Sequence, residues 1–171
     1  FLNIFNSKYN GKLDAMHVSY SGGIDTSVFE FQPNSTRKYD AAFIGRLENK
    51  KGIQDFLNLC EYCSVHDPSI KFLISGYGNG TTEVSQYLRV KSLKNVDFKI
   101  SKCTNDVAKN LSQVKVFCFP SLHKESLGLI ALEAIHMGCY VLSSFQGSLE
   151  KILQKRVNGE FVGFENSSRI A

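Results

Sequence analysis

Short, almost continuously apolar runs alternate with helical patterns between residues 41 and 162 of this 171-residue chain. Such runs are typical of strands buried on both faces, and helices between them are typical of parallel crossovers. The alternation therefore predicts an α/β fold, a Rossmann-like doubly wound parallel sheet with helices on both faces. The predicted strands are 41–45, 70–76, 96–100, 114–120, 140–144 and 160–162.

Helical spacing of apolar residues fills the segments between these strands. We expect Thr104 and Ser148 to act as N-caps, because their hydroxyls can accept from amides of the first turn. Ligands of doubly wound sheets bind outside the carboxyl ends of the strands, so the loops that follow the strands form the candidate site. The predicted helical segments are 53–60, 84–88, 107–111 and 149–153, with a further helix beginning near Gly128.

The first part of the chain does not share this alternation. We predict that residues 1–36 are the tail of a preceding domain and an interdomain linker, with Phe31–Arg37 rich in turn-forming residues. Residues 37–171 would form the Rossmann-like domain. The chain opens on Phe1, and we expect it to be a fragment of a longer protein.

Composition narrows the function classes. Apolar content of 43% and charge of 21% are ordinary for a globular protein, and a net charge of +4 does not demand nucleic acid.

Five cysteines, an odd number, favour a reducing compartment. Cys60 and Cys63 form a C-x-x-C pair late in a helical pattern, which favours packing over redox chemistry. Zinc-type ligand spacing is missing from the sequence.

Two carboxylates flank a glycine in an otherwise apolar stretch, Glu125 to Glu133. A helix that starts near Gly128 places Glu125 in the preceding loop and Glu133 inside the helix. The free amides and the positive dipole end of such a helix form a natural anion site. Both carboxylates can accept hydrogen bonds from vicinal hydroxyls.

Two cations follow the first predicted strand. Arg46 and Lys51 lie at the carboxyl edge of the sheet, where a guanidinium and an ammonium can neutralise a diphosphate. Lys50 is an alternative to Lys51, and a solvated basic loop is the alternative to a ligand site.

Three further patterns favour structural interpretations. Gly76–Gly80 resembles a dinucleotide fingerprint, but its third glycine is one position early, so a glycine turn is preferred. His123 is a candidate general base, yet a lone loop histidine is more often a bystander. A basic cluster over 89–102 is interpreted as a solvated helix end and strand edge rather than a membrane patch.

Taken in order, these motifs resemble the C-terminal, donor-binding domain of family 4 retaining glycosyltransferases, one half of a GT-B fold. Gly45-Arg46-Leu47 followed by Lys51-Gly52 is similar to the family's G-R-L-x-x-x-K-G. The second motif, P-S-x-x-E-x-x-G-x-x-x-x-E-A-x-x-x-G, is matched with one extra residue before its first glutamate. The matching residues are Pro120, Ser121, Glu125, Gly128, Glu133, Ala134 and Gly138.

The resemblance also implies roles for individual residues. Arg46 and Lys51, with Gly45, would bind the donor diphosphate, and Glu133 would bind the ribose hydroxyls. Glu125 would face the sugar ring, and Ser101 and Lys102 would lie near the base. The backbone around Ser126, Leu127, Gly128 and Leu129 would hold the distal phosphate.

The resulting prediction is a retaining hexosyltransferase that uses a nucleotide diphosphate sugar and needs neither a cofactor nor a metal ion. The fragment is expected to be inactive without the N-terminal domain, which would bind a saccharide or lipid-linked acceptor. A cytoplasmic location is expected, with peripheral contact to the inner membrane face left open and no nucleic acid partner. The alternatives are a nucleotide-sugar 2-epimerase and an inactive nucleotide-binding pseudo-transferase.

Departures from the family pattern affect donor choice. Tyr140 replaces a proline, Gly22 replaces an asparagine, and Ile100-Ser101 stands where a glycine is common. The base, the sugar and the acceptor are therefore left open.

Overall fold

A computed structural model describes residues 23–33, 36–123, 128–144 and 148–164. Within these residues the chain alternates strands and helices throughout, with 3₁₀ turns at Asn49–Lys51 and Ser148–Lys151. The strands are β1 (Tyr39–Arg46), β2 (Phe72–Tyr77), β3 (Val96–Ile100), β4 (Val114–Phe119), β5 (Tyr140–Ser143) and β6 (Gly159–Phe161). The helices are α1 (Ile53–His66), α2 (Thr81–Val90), α3 (Thr104–Leu111) and α4 (Leu129–His136).

The described strands form one sheet of order β3-β2-β1-β4-β5-β6. Every pairing is parallel, which confirms the predicted Rossmann-like α/β fold. The chain moves outward from β1 through β2 to β3, then returns to place β4 on the other side of β1. This reversal is the topological switch point, where a crevice opens at the carboxyl ends of β1 and β4.

Helices cover both faces of the sheet. Phe56 and Cys60 of α1 pack with Val84 of α2 in the buried cluster on one face. Leu111 of α3 and Ala134 of α4 belong to the cluster on the opposite face. The central strands β1, β2 and β4 are mostly buried on both sides, as their continuous apolar runs predicted. The edge strand β3 is only partly buried and carries Asp97 and Lys99.

The structure corrects two local predictions. The spacing of Leu149, Ile152 and Leu153 predicted an α-helix, but the chain forms only the 3₁₀ turn Ser148–Lys151. Thr104 is the first residue of α3 rather than its N-cap, and Cys103 occupies the N-cap position without a capping side-chain hydrogen bond. The Asp106 carboxylate accepts from the amide of Lys102 at 3.2 Å. Because Lys102 precedes the helix, this hydrogen bond ties the loop to α3 but does not replace the N-cap.

The segment before β1 contacts the domain. Phe29 is buried in the cluster that includes α3 and α4, and Ile24 and Val28 pack against it. The division at residues 36 and 37 stays a prediction, and the part of it that concerns residues 1–22 lies outside the described residues. In the described part of the chain no helix is long and apolar enough to cross a membrane.

Candidate functional site

A cavity of about 360 Å³ lies at the switch point between β1 and β4. Gly45 and Arg46 at the end of β1 form one wall, and Lys51 contributes a second cation. Gly128 and Leu129, at the start of α4, line the other side. The structure thus brings together five of the residues that the sequence predicted for the diphosphate end of a donor.

The two candidate lysines are separated by the structure. Lys51 lines this cavity, whereas Lys50 lines a different groove between α1 and α2. The Lys50 ammonium lies 2.9 Å from Oε2 of Glu48, and Nη1 of Arg46 lies 3.4 Å from Oε1 of the same carboxylate. The hydrogen bond from Lys50, aided by the nearby charges of Arg46 and Lys51, lowers the pKa of Glu48.

Glu48 was missed by the sequence analysis, although its place between Arg46 and two lysines was a usable signal. Its ionised carboxylate limits the excess positive charge of the loop. The Arg46 side chain is 54% exposed, so its guanidinium is accessible to solvent as well as to Glu48.

Close backbone packing holds the turn after β1 against the loop after β4, on the two sides of the cavity. Gly52 adopts a left-handed conformation with φ of 74°, and a Cβ at this position would lie 1.9 Å from the carbonyl oxygen of Pro120. The amide of Leu122 donates to the carbonyl oxygen of Lys50 at 3.0 Å. The turn that carries Lys51 is therefore fixed against the loop after β4.

Helix α4 begins where the anion-site prediction placed it. Gly128 is its N-cap and has φ of 68°, in the left-handed region that favours glycine. The first amides of a helix have no intrahelical acceptor, and Leu129 and Ile130, which carry two of them, line the cavity. The predicted ligands Glu125, Ser126 and Leu127 fall outside the described residues.

A second cavity of about 260 Å³ adjoins the first and shares Ile44, Gly45 and Arg46 with it. Glu133 lines it from α4, opposite the loop that contains Ser101 and Lys102. The residues predicted to face the nucleoside are thus grouped beside those predicted to face the diphosphate.

Glu133 is partly buried, and its carboxylate has no partner among the described residues. No described residue donates a hydrogen bond to its carboxylate, and burial raises its pKa above the ordinary value of 4.5. A carboxylate left unpaired in a cavity is a candidate ligand-binding group.

The loop after β3 is held by a buried polar network. Ser75 of β2, Ser101 and Asn110 of α3 are all at most 5% exposed. The amide nitrogen of Asn110 donates to Oγ of Ser75 at 2.8 Å and to Oγ of Ser101 at 2.9 Å. The sequence alone does not single out Ser75 or Asn110, because a polar residue in a strand or in an amphipathic helix does not reveal that it is buried.

The other sequence patterns have structural roles. Gly76 lies at the end of β2, and the residues after Tyr77 form a turn in which the amide of Gly80 donates to the carbonyl of Leu47 at 2.9 Å. His123 is exposed and lines neither cavity, which agrees with the bystander interpretation. The basic cluster over 89–102 is dispersed, since Lys91 pairs with Glu61 at 2.6 Å while Lys102 lines the second cavity.

The cysteines are free thiols. Cys60 and Cys63 are buried in α1, and burial raises the pKa of both. A redox pair needs a lowered pKa, so the packing interpretation holds. The described residues contain no group of three or more candidate metal ligands.

Comparison with known proteins agrees with this geometry. The family model for glycosyl transferases group 1 matches residues 25–171. An uncharacterized 41.2 kDa protein in the cps region of Klebsiella pneumoniae is 24% identical over 139 residues, which are 78% of this chain. The chain spans 35% of the length of that relative.

Solved structures are similar in fold. The C-terminal domain of a glycosyl transferase group 1 family protein from Francisella tularensis superimposes with a TM-score of 0.69 at 24% identity, covering 87% of this chain and 84% of that one. Anabaena HepE in complex with UDP-glucose gives a TM-score of 0.68 at 18% identity, covering 86% of this chain and 45% of that one.

A doubly wound sheet with a cation-lined cavity at its switch point defines one half of a GT-B glycosyltransferase fold. The chain belongs to the glycosyl transferases group 1 family.

Proposed function

We propose that this domain binds a nucleoside diphosphate sugar and serves a retaining hexosyltransferase of family 4. The observation that carries the proposal is the meeting of Arg46, Lys51 and the start of α4 at one cavity. A guanidinium, an ammonium and helix amides can share the charge of a diphosphate. The UDP-glucose in the structure of Anabaena HepE supports the same class of donor.

The mechanism follows from the charge that develops at the leaving group. As the bond from the anomeric carbon to the diphosphate breaks, negative charge grows on the diphosphate oxygens. Arg46, Lys51 and the first amides of α4 would stabilise that charge without reorganising. In this proposal the two cations make a metal ion unnecessary.

Two carboxylates acting as nucleophile and acid, as in glycosidases, are a poorer account of retention. Glu133 lies inside α4 and lines the cavity predicted for the nucleoside. Its position suits a hydroxyl ligand of the ribose better than attack on an anomeric carbon. A preceding domain that holds a saccharide or lipid-linked acceptor, and a cytoplasmic site of action, belong to the same proposal.

The diphosphate role is tested by comparing the two adjacent lysines. Lys51→Ala and Arg46→Ala should each weaken binding of UDP by about 1.5–3 kcal/mol, as expected for a lost charge-assisted contact. Lys50→Ala is the matched control, because its ammonium is engaged by Glu48 and lines another groove. Titration calorimetry measures all three affinities.

Equal losses in the three variants would contradict the proposal, since they would indicate general electrostatic attraction rather than a site. Retention itself is tested on the full-length protein by NMR of the anomeric configuration of the product. An inverted product would contradict the retaining assignment alone.

A further inference from the structure

The buried network of Ser75, Ser101 and Asn110 leaves one hydrogen-bond donor without a partner. Lys99 has only donors, and its ammonium lies 3.4 Å from Oδ1 of Asn110. This contact fixes the orientation of the amide, so both amide protons point to the two serine oxygens at 2.8 and 2.9 Å.

The third hydrogen bond of the network joins the hydroxyl groups of Ser75 and Ser101. Their oxygens are 2.6 Å apart, so one hydroxyl donates to the other. Two hydroxyl protons are available and only one is used, and no other acceptor for either lies among the described residues. One O–H group is therefore left over.

Burial decides which serine carries the unused proton. Ser75 is fully buried, whereas Ser101 is 5% exposed and both line the second cavity. If Ser75 carried the unused O–H group, that group would point into the protein interior without an acceptor, which costs the free energy of an unmade hydrogen bond. The favoured arrangement has Ser75 donating to Ser101, with the Ser101 proton directed to the cavity.

In this arrangement the Ser101 hydroxyl can only donate. Its oxygen already accepts from Asn110 and from Ser75, and a hydroxyl oxygen has two acceptor sites. An amino group placed beside it would find no acceptor, while an oxo group would receive a hydrogen bond.

We propose that Ser101 is a specificity-determining residue that selects nucleoside diphosphates whose base presents an oxo group over those presenting an amino group. The inference rests on the proposed function, because it assumes that the base of the donor occupies the cavity beside Glu133. Uracil and guanine meet the requirement at positions 4 and 6, whereas cytosine and adenine carry amino groups there.

The test uses ligand pairs that differ at this group, namely UDP with CDP and inosine diphosphate with ADP. Calorimetry on the 171-residue chain should show the oxo member of at least one pair binding about tenfold more tightly, the effect of one specific hydrogen bond. Ser101→Ala should bring that ratio close to one. Ser101→Thr keeps the hydroxyl and should keep the preference.

Ser75→Ala is the matched control. It removes a buried hydroxyl from the same network and should lower the melting temperature about as much as Ser101→Ala. It leaves the cavity-facing proton in place, so affinity for the oxo member should persist, while the acceptor site freed on Ser101 should let the amino member bind more tightly than it binds the original chain. A preference that survives in Ser101→Ala, or an equal loss of affinity for the oxo member in both variants, would overturn the role of Ser101.

Pyrophosphate separates this inference from the proposed function. If pyrophosphate and all four nucleotides fail to bind, the proposed function is wrong and the inference falls with it. If the nucleotides bind tightly with no preference for either member of each pair, only the role of Ser101 is wrong.

Discussion

At the scale of single residues, Glu133 illustrates a conflict between stability and binding. Its carboxylate lies on α4 beside the second cavity and receives no hydrogen bond from the described residues. Burial raises its pKa because the charged form loses hydration without gaining a partner. Vicinal hydroxyls of a ligand would supply the missing donors.

Glu133→Gln should therefore change stability and binding in opposite directions. Because the folded-state pKa of Glu133 is raised, its protonated form contributes fully to stability at pH values below the ordinary pKa of 4.5. That contribution is lost as the pH rises through the folded-state pKa. The glutamine of the variant does not titrate. Its melting temperature, relative to that of the original chain, should therefore rise as the pH is raised across this range. Its affinity for UDP should fall by about 1 kcal/mol, while affinity for pyrophosphate stays unchanged.

Thermal melts from pH 4 to pH 8 and parallel titrations measure both effects. A constant difference in melting temperature over this range would contradict the burial argument. Equal loss of UDP and pyrophosphate affinity would contradict the assignment of Glu133 to the nucleoside.

At the scale of secondary-structure elements, the approach of α1 to β4 shapes the cation-lined cavity. Gly52 is at once the C-cap of the 3₁₀ turn and the N-cap of α1. Its missing side chain lets the turn carrying Lys51 lie directly against Pro120. In the Lys51-Gly52 pair, the lysine thus supplies the charge, and the glycine allows the contact with Pro120 that positions it.

Gly52→Ala should destabilise the domain by about 2–4 kcal/mol, because the new methyl group meets a carbonyl oxygen and the left-handed conformation is strained. Gly23→Ala is a suitable control, since Gly23 has φ of 83° and no atom of the described residues lies within 4 Å of a Cβ placed there. It should cost only about 1 kcal/mol, the conformational part alone.

Urea denaturation measures both variants. Similar midpoints for the two would show that the contact with Pro120 relaxes and does not fix the cavity.

At the scale of the whole molecule, Arg37 ties distant parts of the sequence together. Its guanidinium donates to the carbonyl oxygens of Val114, at the start of β4, and of Met137, after α4, the latter at 2.6 Å. It also lies 3.5 Å from Sγ of Cys139. One side chain before β1 thus joins segments about 80 and 100 residues away.

Arg37→Ala should lower the free energy of unfolding by about 2 kcal/mol, because two carbonyl groups in a partly buried site lose a charged donor. The neighbouring Lys38 provides a control, since its pair with Asp97 at 2.7 Å is about half exposed on both sides. Lys38→Ala should cost less than about 1 kcal/mol. Chemical denaturation measures the free energy of unfolding of both variants. Equal losses of this free energy would contradict the role of Arg37 in joining these segments.

Much of this organisation could be predicted before the structure. The apolar runs gave the six strands to within two residues at most ends, because burial on both faces leaves a strong local pattern. Arg46, Lys51, Gly128 and Glu133 were singled out because charges and glycines beside buried elements are locally conspicuous. Leu149–Leu153 was predicted wrongly, since apolar spacing alone does not distinguish a helix from a 3₁₀ turn.

The sequence by itself determined the parallel α/β architecture and the kinds of charge available at its carboxyl edge, because periodicity and residue type are local properties. Only the tertiary structure decided that Lys51 rather than Lys50 reaches the cavity, and that Ser75, Ser101 and Asn110 form one network. These outcomes depend on strand order and backbone contact between residues far apart in sequence. No local pattern encodes which groups such contacts will bury or pair.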